Sequence, residues 1–160
     1  MVGNLPRTVR MALDVGSVRI GVARSDPDGI MAVPVVTIAQ SGNAVQEAIG
    51  IANEYNATVI YVGKPVNLKG DSTASTDMAI TFAKTLHQQI QSGSLQIEVR
   101  LIDERLSTVS ANNAMQSAGK SQRQSRQVID QAAAVVILEH ALASEKSAGH
   151  FVGTLIASKS

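Results

Sequence analysis

The sequence predicts one α/β domain whose sheet begins with antiparallel strands and continues with parallel strands joined by helices. Two observations support this fold class. Three β-rich runs separated by short turns open the chain. Over residues 44–103, apolar strands then alternate with segments of helical periodicity. We therefore expect a mixed five-stranded sheet, with three antiparallel strands first and parallel strands after them, flanked by helices.

The opening strands are predicted from their apolar patterns. Residues 8–15 and 18–24 are separated by Gly16-Ser17, a short turn of the hairpin type. A third run, residues 31–38, contains Pro34, which favours an edge strand because proline cannot donate to a sheet ladder. The three runs predict a meander.

The later elements follow from periodicity and from breaker residues. Helical spacing indicates helices at 44–55 and 71–92, a third from Ser107 or Thr108 to about Ser117, and a last one at about 124–143; strands are expected at 58–63 and 96–103. The whole chain, residues 1–160, is expected to be a single domain, with a core at about 8–143 and a loosely ordered tail at 144–160.

Composition excludes several classes of protein. The chain is 44% hydrophobic with 2% aromatic residues, so aliphatic side chains must form the core, and a base-stacking platform is not expected. The absence of cysteine excludes disulfides, thiolate metal sites and a cysteine nucleophile. No signal peptide or apolar run of about 20 residues is present, so we expect a cytoplasmic protein with no membrane partner.

Asp14 is the first candidate catalytic residue. It ends an apolar strand and precedes Gly16. A carboxylate in that position is partly buried and needs a cation, a metal ion or several donors. The alternative is an aspartate that caps its own turn.

Asp103 and Glu104 are the second candidates. They stand at the carboxyl end of a predicted parallel strand, where open α/β sheets hold their ligands. Adjacent residues of an extended chain point to opposite faces, so only one of the two can share a face with Asp14. The alternative is a surface ion pair between neighbours such as Glu104 and Arg105.

Asp130 is the third candidate, because it lies on the apolar stripe of the last helix. Helical spacing places it on one face with Ala133, Ala134, Ile137 and Ala141. A charge on a core-facing stripe needs a partner, and the small alanines leave room for an ion or a phosphate. The alternative is a buried aspartate satisfied by hydrogen bonds alone.

Together these carboxylates predict a metal site at one edge of the sheet. His87, His140 and His150 share no metal-ligand spacing, so oxygen atoms would be the ligands, and oxygen ligands favour Mg²⁺ or Mn²⁺. Such ions activate water and stabilise both oxygens of an in-line displacement. The chemistry indicated is phosphodiester hydrolysis in nucleic acid.

Candidate substrate-binding residues surround this site. Lys64 and Asn67 belong to a loop that leaves a buried strand, where they can contact phosphate or serve only as a connection. Arg123 and Arg126 belong to the stretch 100–126, which contains five basic and two acidic residues. The alternative for that stretch is a solvated loop.

Three segments together resemble the motifs of the YqgF/RuvX family: DVGSVRIGVA at 14–23, DERLST at 103–108 and DQAAAVVIL at 130–138. The resemblance spans about residues 10–142. Members of that family have a ribonuclease-H-like fold and are described as Holliday junction resolvases or as nucleases that mature the 5′ end of pre-16S rRNA.

The resemblance implies roles for particular residues. Asp14, Glu104 in preference to Asp103, and Asp130 would be the catalytic metal ligands, while Arg19 and Arg105 would bind phosphate. The chain departs from the family at two positions, with Lys64 where the family usually has leucine and Val18 where a lysine is often found. Neither departure removes a carboxylate.

The substrate remains open between two nucleic acids. Pre-16S rRNA, presented within a pre-ribosomal particle, is favoured over a branched DNA junction. A junction resolvase should be a symmetric dimer, whereas an RNA processor can be a monomer, and the sequence leaves a monomer and a weak homodimer both open.

Two other classes of protein compete with a nuclease. An actin/hexokinase-type phosphotransferase needs two such domains, and 160 residues supply one. A non-catalytic nucleic-acid-binding module would use the carboxylates only for structure.

Overall fold

The computed structural model describes residues 5–66, 69, 71–104 and 122–157, with side chains from Ile129 onward in the last range. Within those ranges the chain forms six strands and three helices. In chain order they are β1 (Val9–Val15), β2 (Arg19–Ser25), β3 (Ala32–Ala39), α1 (Ala44–Glu54), β4 (Ala57–Pro65), α2 (Ala74–Ser92), β5 (Glu98–Glu104), α3 (Gln122–Ala148) and β6 (Thr154–Leu155).

The strands form one mixed sheet in the order β3-β2-β1-β4-β5-β6. β1, β2 and β3 pair antiparallel, and β1, β4 and β5 pair parallel. The predicted succession of antiparallel and parallel strands is therefore confirmed. β3 is an edge strand with Pro34 exposed, as its proline predicted. The sheet has six strands and not five, because β6 adds antiparallel to β5.

Helices cover both faces of the sheet. Strand alternation sends Met11, Leu13 and Val15 of β1 into the cluster that packs against α1 and α2. Ala12 of β1 and Tyr61 of β4 point the other way, into the cluster formed with α3. The core consists mainly of aliphatic side chains, as the composition predicted.

The tail differs from the prediction that it is loosely held. α3 continues to Ala148, and Glu145 near its end is 1% exposed. Arg10 of β1 forms an ion pair with Glu145 at 2.9 Å, and the Tyr61 hydroxyl donates to the other carboxylate oxygen. A buried charge pair is stable only with such complete hydrogen bonding, and here it ties α3 to the sheet.

The residues after α3 are held by the same region of the sheet. Phe151 lies against the guanidinium groups of Arg10 and Arg100, with 5.3 Å and 5.9 Å from the guanidinium carbons to the ring centre. The backbone of Val152 donates to the Tyr61 hydroxyl. These contacts place β6 beside β5.

The helix predicted at 107–117 lies outside the described residues. In the ranges that are described, no helix is both long enough and apolar enough to cross a membrane.

Candidate active site

Asp14 lies near the carboxyl end of β1 on the face covered by α3. The alternation of β1 places it on the same face as Ala12, which packs against α3. Its side of the sheet is therefore opposite to that of Leu13 and Val15, which pack against α1 and α2. The carboxylate is only partly exposed, as its position after an apolar strand predicted.

Two glycines flank Asp14 in the sheet. Asp14 pairs with Gly21 of β2, and the parallel pairing of Leu13 with Val62 brings Gly63 of β4 level with it on the other side. Neither neighbour carries a side chain, so nothing projects from the sheet on either side of the carboxylate. This leaves room for groups that approach from α3 and β5.

The Glu104 carboxylate lies above Gly63, in the space that a side chain at position 63 would occupy. A Cβ built on Gly63 would lie 2.2 Å from Glu104 Oε2 and 2.5 Å from Ile137 Cδ1 of α3. Glu104 follows Ile102 by two residues, and Ile102 packs in the α3 cluster, so Glu104 points to the same face as Asp14.

Asp103 points to the opposite face. Its side chain is 59% exposed, and its Oδ1 lies 3.9 Å from the Nζ of Lys64. Lys64 is the register partner of Asp103 and follows Gly63, so it also points away from the Asp14 face. The two alternatives that the sequence left open are thus on different sides of the sheet, and Glu104 is the one on the side of Asp14.

Asp130 enters the site from α3 and is held by Arg19. Arg19 Nε donates to Asp130 Oδ2 at 2.7 Å, with both side chains partly buried. The backbone of α3 comes very close at this point, because a Cβ built on Gly21 would lie 1.9 Å from the Asp130 carbonyl oxygen. Asp130 therefore does lie on the sheet-facing side of its helix, and its carboxylate has a cationic partner.

The electrostatics of the site centre on Asp14. Burial and, as a smaller contribution, the nearby negative charge of Asp130 together raise the pKa of Asp14 from 3.8 to about 6. Arg19 is bonded to Asp130 and not to Asp14. The region around Asp14 thus holds more negative charge than Arg19 neutralises. A bound cation would reduce this excess.

Asp14→Asn is expected to stabilise the metal-free protein at pH 7 by up to roughly 3 kcal/mol. The folded-state pKa lies above the unfolded value, so stability contributed by the protonated form is lost as pH rises from about 4 through about 6. Asparagine does not incur that loss. Urea unfolding of both proteins in EDTA measures the difference, which should disappear near pH 4.

A loss of stability in Asp14→Asn at pH 7 would contradict this. It would identify Asp14 as a structural residue that needs its charge, as in the non-catalytic class of protein.

The three carboxylates do not form a metal-binding cluster in this structure. Among the described residues, no group of three His, Cys, Asp or Glu side chains is close enough to hold one ion. The Asp130 carboxylate is instead engaged by its ion pair with Arg19.

The predicted substrate-binding residues fall into four groups. Lys64 lies on the face away from Asp14, and Arg19 lies within the site. Arg123 and Arg126 belong to the first turns of α3, where the backbone alone is described. Asn67 and Arg105 lie outside the described residues.

Comparison with known families assigns the chain. The model of the RuvX family, described as Holliday junction resolvase, matches residues 8–144. The chain belongs to the RuvX family. The relationship predicted from the three motifs is therefore confirmed, and with it the nuclease class of the protein.

Curated RuvX relatives extend over nearly the same length. A protein of Clavibacter sepedonicus named "Putative pre-16S rRNA nuclease" is 47% identical over 150 residues, covering 92% of this chain and 90% of the relative. Proteins of the same name from Leifsonia xyli and Rhodococcus opacus are 46% and 45% identical, covering 87% and 81% of this chain and 88% and 74% of their own.

Solved structures confirm the ribonuclease-H-like fold. The structure of Thermus thermophilus RuvC in complex with a Holliday junction substrate has a TM-score of 0.56 at 10% identity, covering 93% of this chain and 99% of that one. A second Thermus thermophilus RuvC structure has a TM-score of 0.50 at 10% identity, covering 87% and 96%. At this identity the likeness concerns the fold.

Gly21 and Gly63 are the site residues that sequence reasoning missed. Both contribute by lacking a side chain, which leaves no chemical group to notice. A signal for both was present, because an isolated glycine within an apolar strand often marks a close approach of another backbone or group.

Proposed function

We propose that this RuvX protein is a divalent-metal-dependent endonuclease that matures the 5′ end of pre-16S rRNA. The observation that carries the proposal is the shared face of three carboxylates. Asp14, Glu104 and Asp130 come from β1, β5 and α3 to one side of the sheet near the carboxyl ends of its parallel strands. Open α/β sheets hold their ligands at that edge.

The oxygen donors of the site suit an Mg²⁺ or Mn²⁺ ion by their chemistry, although in this structure the described carboxylates are not drawn together around one point. Oxygen donors are the ligands that these ions prefer, and Asp14 supplies a partly buried carboxylate whose pKa is raised mainly by burial and also by the negative charge of Asp130. Because Gly21 and Gly63 have no side chains, the α3 backbone and the Glu104 carboxylate can approach closely on either side of Asp14. We assign Asp14, Glu104 and Asp130 as the residues that would hold the metal.

The metal ion, Asp14 and Arg19 would have different roles in cleavage. The bound metal supplies activation of water and stabilisation of the charged oxygens of the phosphate. Asp14 must be ionised to take part, which its pKa of about 6 allows at neutral pH. Arg19, already at the site and 31% exposed, is placed to bind a phosphate oxygen once its contact with Asp130 is exchanged.

The choice of RNA rests on the relatives. The curated relatives at 45–47% identity carry the name of a pre-16S rRNA nuclease. Ribosomal RNA precursors exist in the cytoplasm within pre-ribosomal particles, so we propose that compartment and that partner. Junction cleavage is the second candidate, since the family model is described as a resolvase.

Cleavage of two labelled substrates tests the proposal. A pre-16S rRNA fragment and a synthetic four-way DNA junction are incubated with the protein, with and without Mg²⁺ or Mn²⁺. We expect metal-dependent cutting of the RNA alone, and its loss in Asp14→Asn. Paired cuts in the junction would move the function to recombination, and no cutting of either substrate by the folded protein would leave a non-catalytic binding module.

Arg19→Gln is expected to weaken nucleic-acid binding and to reduce its dependence on salt. If Arg19 contacts a phosphate, its loss should lower the slope of log affinity against log salt concentration by about 0.7 for single strands. Binding at several salt concentrations measures that slope. Arg7→Gln is the matched control, because Arg7 pairs with Asp28 at the surface near the amino end of β1. An unchanged slope in Arg19→Gln would show that Arg19 serves only to hold Asp130.

A further inference from the structure

The peptide bond between Asp130 and Gln131 of α3 lies directly over Gly21 of β2. A Cβ built on Gly21 would be 1.9 Å from the Asp130 carbonyl oxygen and 3.1 Å from the Gln131 backbone nitrogen. Gly21 pairs with Asp14 of β1 on one side and with Thr37 of β3 on the other. Neighbouring strands lie about 5 Å apart. This turn of α3 therefore sits between Asp14 and Thr37, within side-chain reach of both strands.

The side chains of Asp130 and Gln131 leave this contact in different directions. Successive residues of an α-helix are about 100° apart around its axis. Asp130 extends toward Arg19, the first residue of β2, whose Nε donates to it at 2.7 Å. Gln131 extends to β3, where its Nε2 donates to the Thr37 hydroxyl oxygen at 3.1 Å. The bond to Thr37 opposes rotation of α3 about its axis, and that rotation determines where the Asp130 carboxylate points.

The two hydrogen bonds differ in what a bound cation would do to them. To bind a metal ion, the Asp130 carboxylate must leave Arg19, so the ion pair no longer orients the helix. Gln131 and Thr37 are neutral, and neither is assigned as a metal ligand, so their bond can persist. With the ion pair exchanged, the bond between α3 and β3 still keeps the helix backbone in place while the Asp130 side chain turns.

We propose that Gln131 and Thr37 are positioning residues, which hold this turn of α3 so that the Asp130 carboxylate stays within reach of a metal ion at Asp14. The proposal rests on the metal site proposed above. Residues that orient metal ligands change metal affinity by about 10- to 100-fold when they are replaced. Loss of the bond between Gln131 and Thr37 should therefore weaken metal binding while the protein stays folded.

Thr37 allows a conservative test, because valine has nearly the shape of threonine without its hydroxyl. Thr37→Val removes the hydrogen bond, and Thr37→Ser retains the hydroxyl. Thr58→Val is the matched control, since it removes the hydroxyl–hydroxyl bond between Thr8 and Thr58, at 2.6 Å. That pair lies near the amino ends of β1 and β4, whereas Asp14 lies near the carboxyl end of β1.

The experiment titrates each protein with Mn²⁺ and measures the unbound ion by electron paramagnetic resonance, without nucleic acid. We expect Thr37→Val and Gln131→Leu each to raise the Kd for Mn²⁺ about tenfold. The double variant should raise it no further than either single change, because both remove the same bond. Thr37→Ser and Thr58→Val should bind as the parent does. Urea unfolding identifies conditions under which every variant is fully folded.

An unchanged Kd in folded Thr37→Val and Gln131→Leu would overturn the proposal, and their bond would then serve stability alone. An equal rise in Thr58→Val would also overturn it, as would additive losses in the double variant.

Asp14→Asn separates this result from the fate of the proposed function. Loss of Mn²⁺ binding in Asp14→Asn supports the metal site, whether or not Thr37 affects it. No binding by the parent, or binding that Asp14→Asn leaves unchanged, would overturn the metal site and the positioning role together.

Discussion

Glu104→Gln is expected to lower the rate of metal-dependent cleavage about a thousandfold, while Asp103→Asn leaves it within a factor of about three. A metal ion stabilises a phosphoryl transition state by several kcal/mol, and about 1.4 kcal/mol corresponds to a factor of ten in rate. Loss of a ligand charge removes much of that stabilisation. Single-turnover cleavage of the substrate established for the parent protein measures both rates.

The two variants form a matched pair because the residues are neighbours on one strand. Glu104 lies above Gly63 on the α3 face, and Asp103 lies on the other face beside Lys64. Both substitutions remove one negative charge from the end of β5, so a general electrostatic effect would change both rates equally. A large loss in Asp103→Asn with little change in Glu104→Gln would reverse the assignment and require a different arrangement of the strand end.

Much of the site could be predicted from the sequence because it depends on local patterns. Strand alternation allowed only one of Asp103 and Glu104 on the side of Asp14, although it left open which one. Helical spacing placed Asp130 on the sheet-facing stripe of the last helix. Pro34 indicated an edge strand, and β3 is one. Each of these inferences uses residues within about ten positions of one another.

The features that could not be predicted depend on contacts between distant residues. Arg19 and Asp130 are 111 positions apart, and Arg10 and Glu145 are 135 apart. No local pattern pairs them. β6 has only two residues, both exposed, so it carries no apolar alternation and is positioned by the segment around Phe151. The tail was predicted to be loose because it consists of Ser, Ala and Gly with only scattered apolar residues.

Gly21→Ala is expected to destabilise the protein by about 4 kcal/mol or more, which is exceptional for so small a change. The new Cβ would lie 1.9 Å from the carbonyl oxygen of Asp130 and 2.3 Å from its carbonyl carbon. Both are backbone atoms of α3, so no side chain can rotate to make room. The helix itself must move away from the sheet, which also carries Asp130 away from Arg19 and Asp14.

Two other glycines turn this expectation into a graded series. At Gly63 the new Cβ would meet the ends of the Glu104 and Ile137 side chains, which can shift, so Gly63→Ala should cost only about 1 to 3 kcal/mol. At Gly50, in the middle of α1, nothing is within 4 Å, and alanine should add about 0.5 to 1 kcal/mol of helix stability. Urea unfolding at 25 °C measures all three.

The series also separates stability from function. Gly63→Ala displaces the Glu104 carboxylate, so its cleavage rate should fall at least tenfold under conditions where the variant is fully folded. Gly50→Ala should cut at the parent rate. A Gly21→Ala protein with parental stability would mean that α3 approaches β2 less closely than described, and normal cleavage by folded Gly63→Ala would mean that the position of Glu104 above Gly63 is not the one used in the reaction.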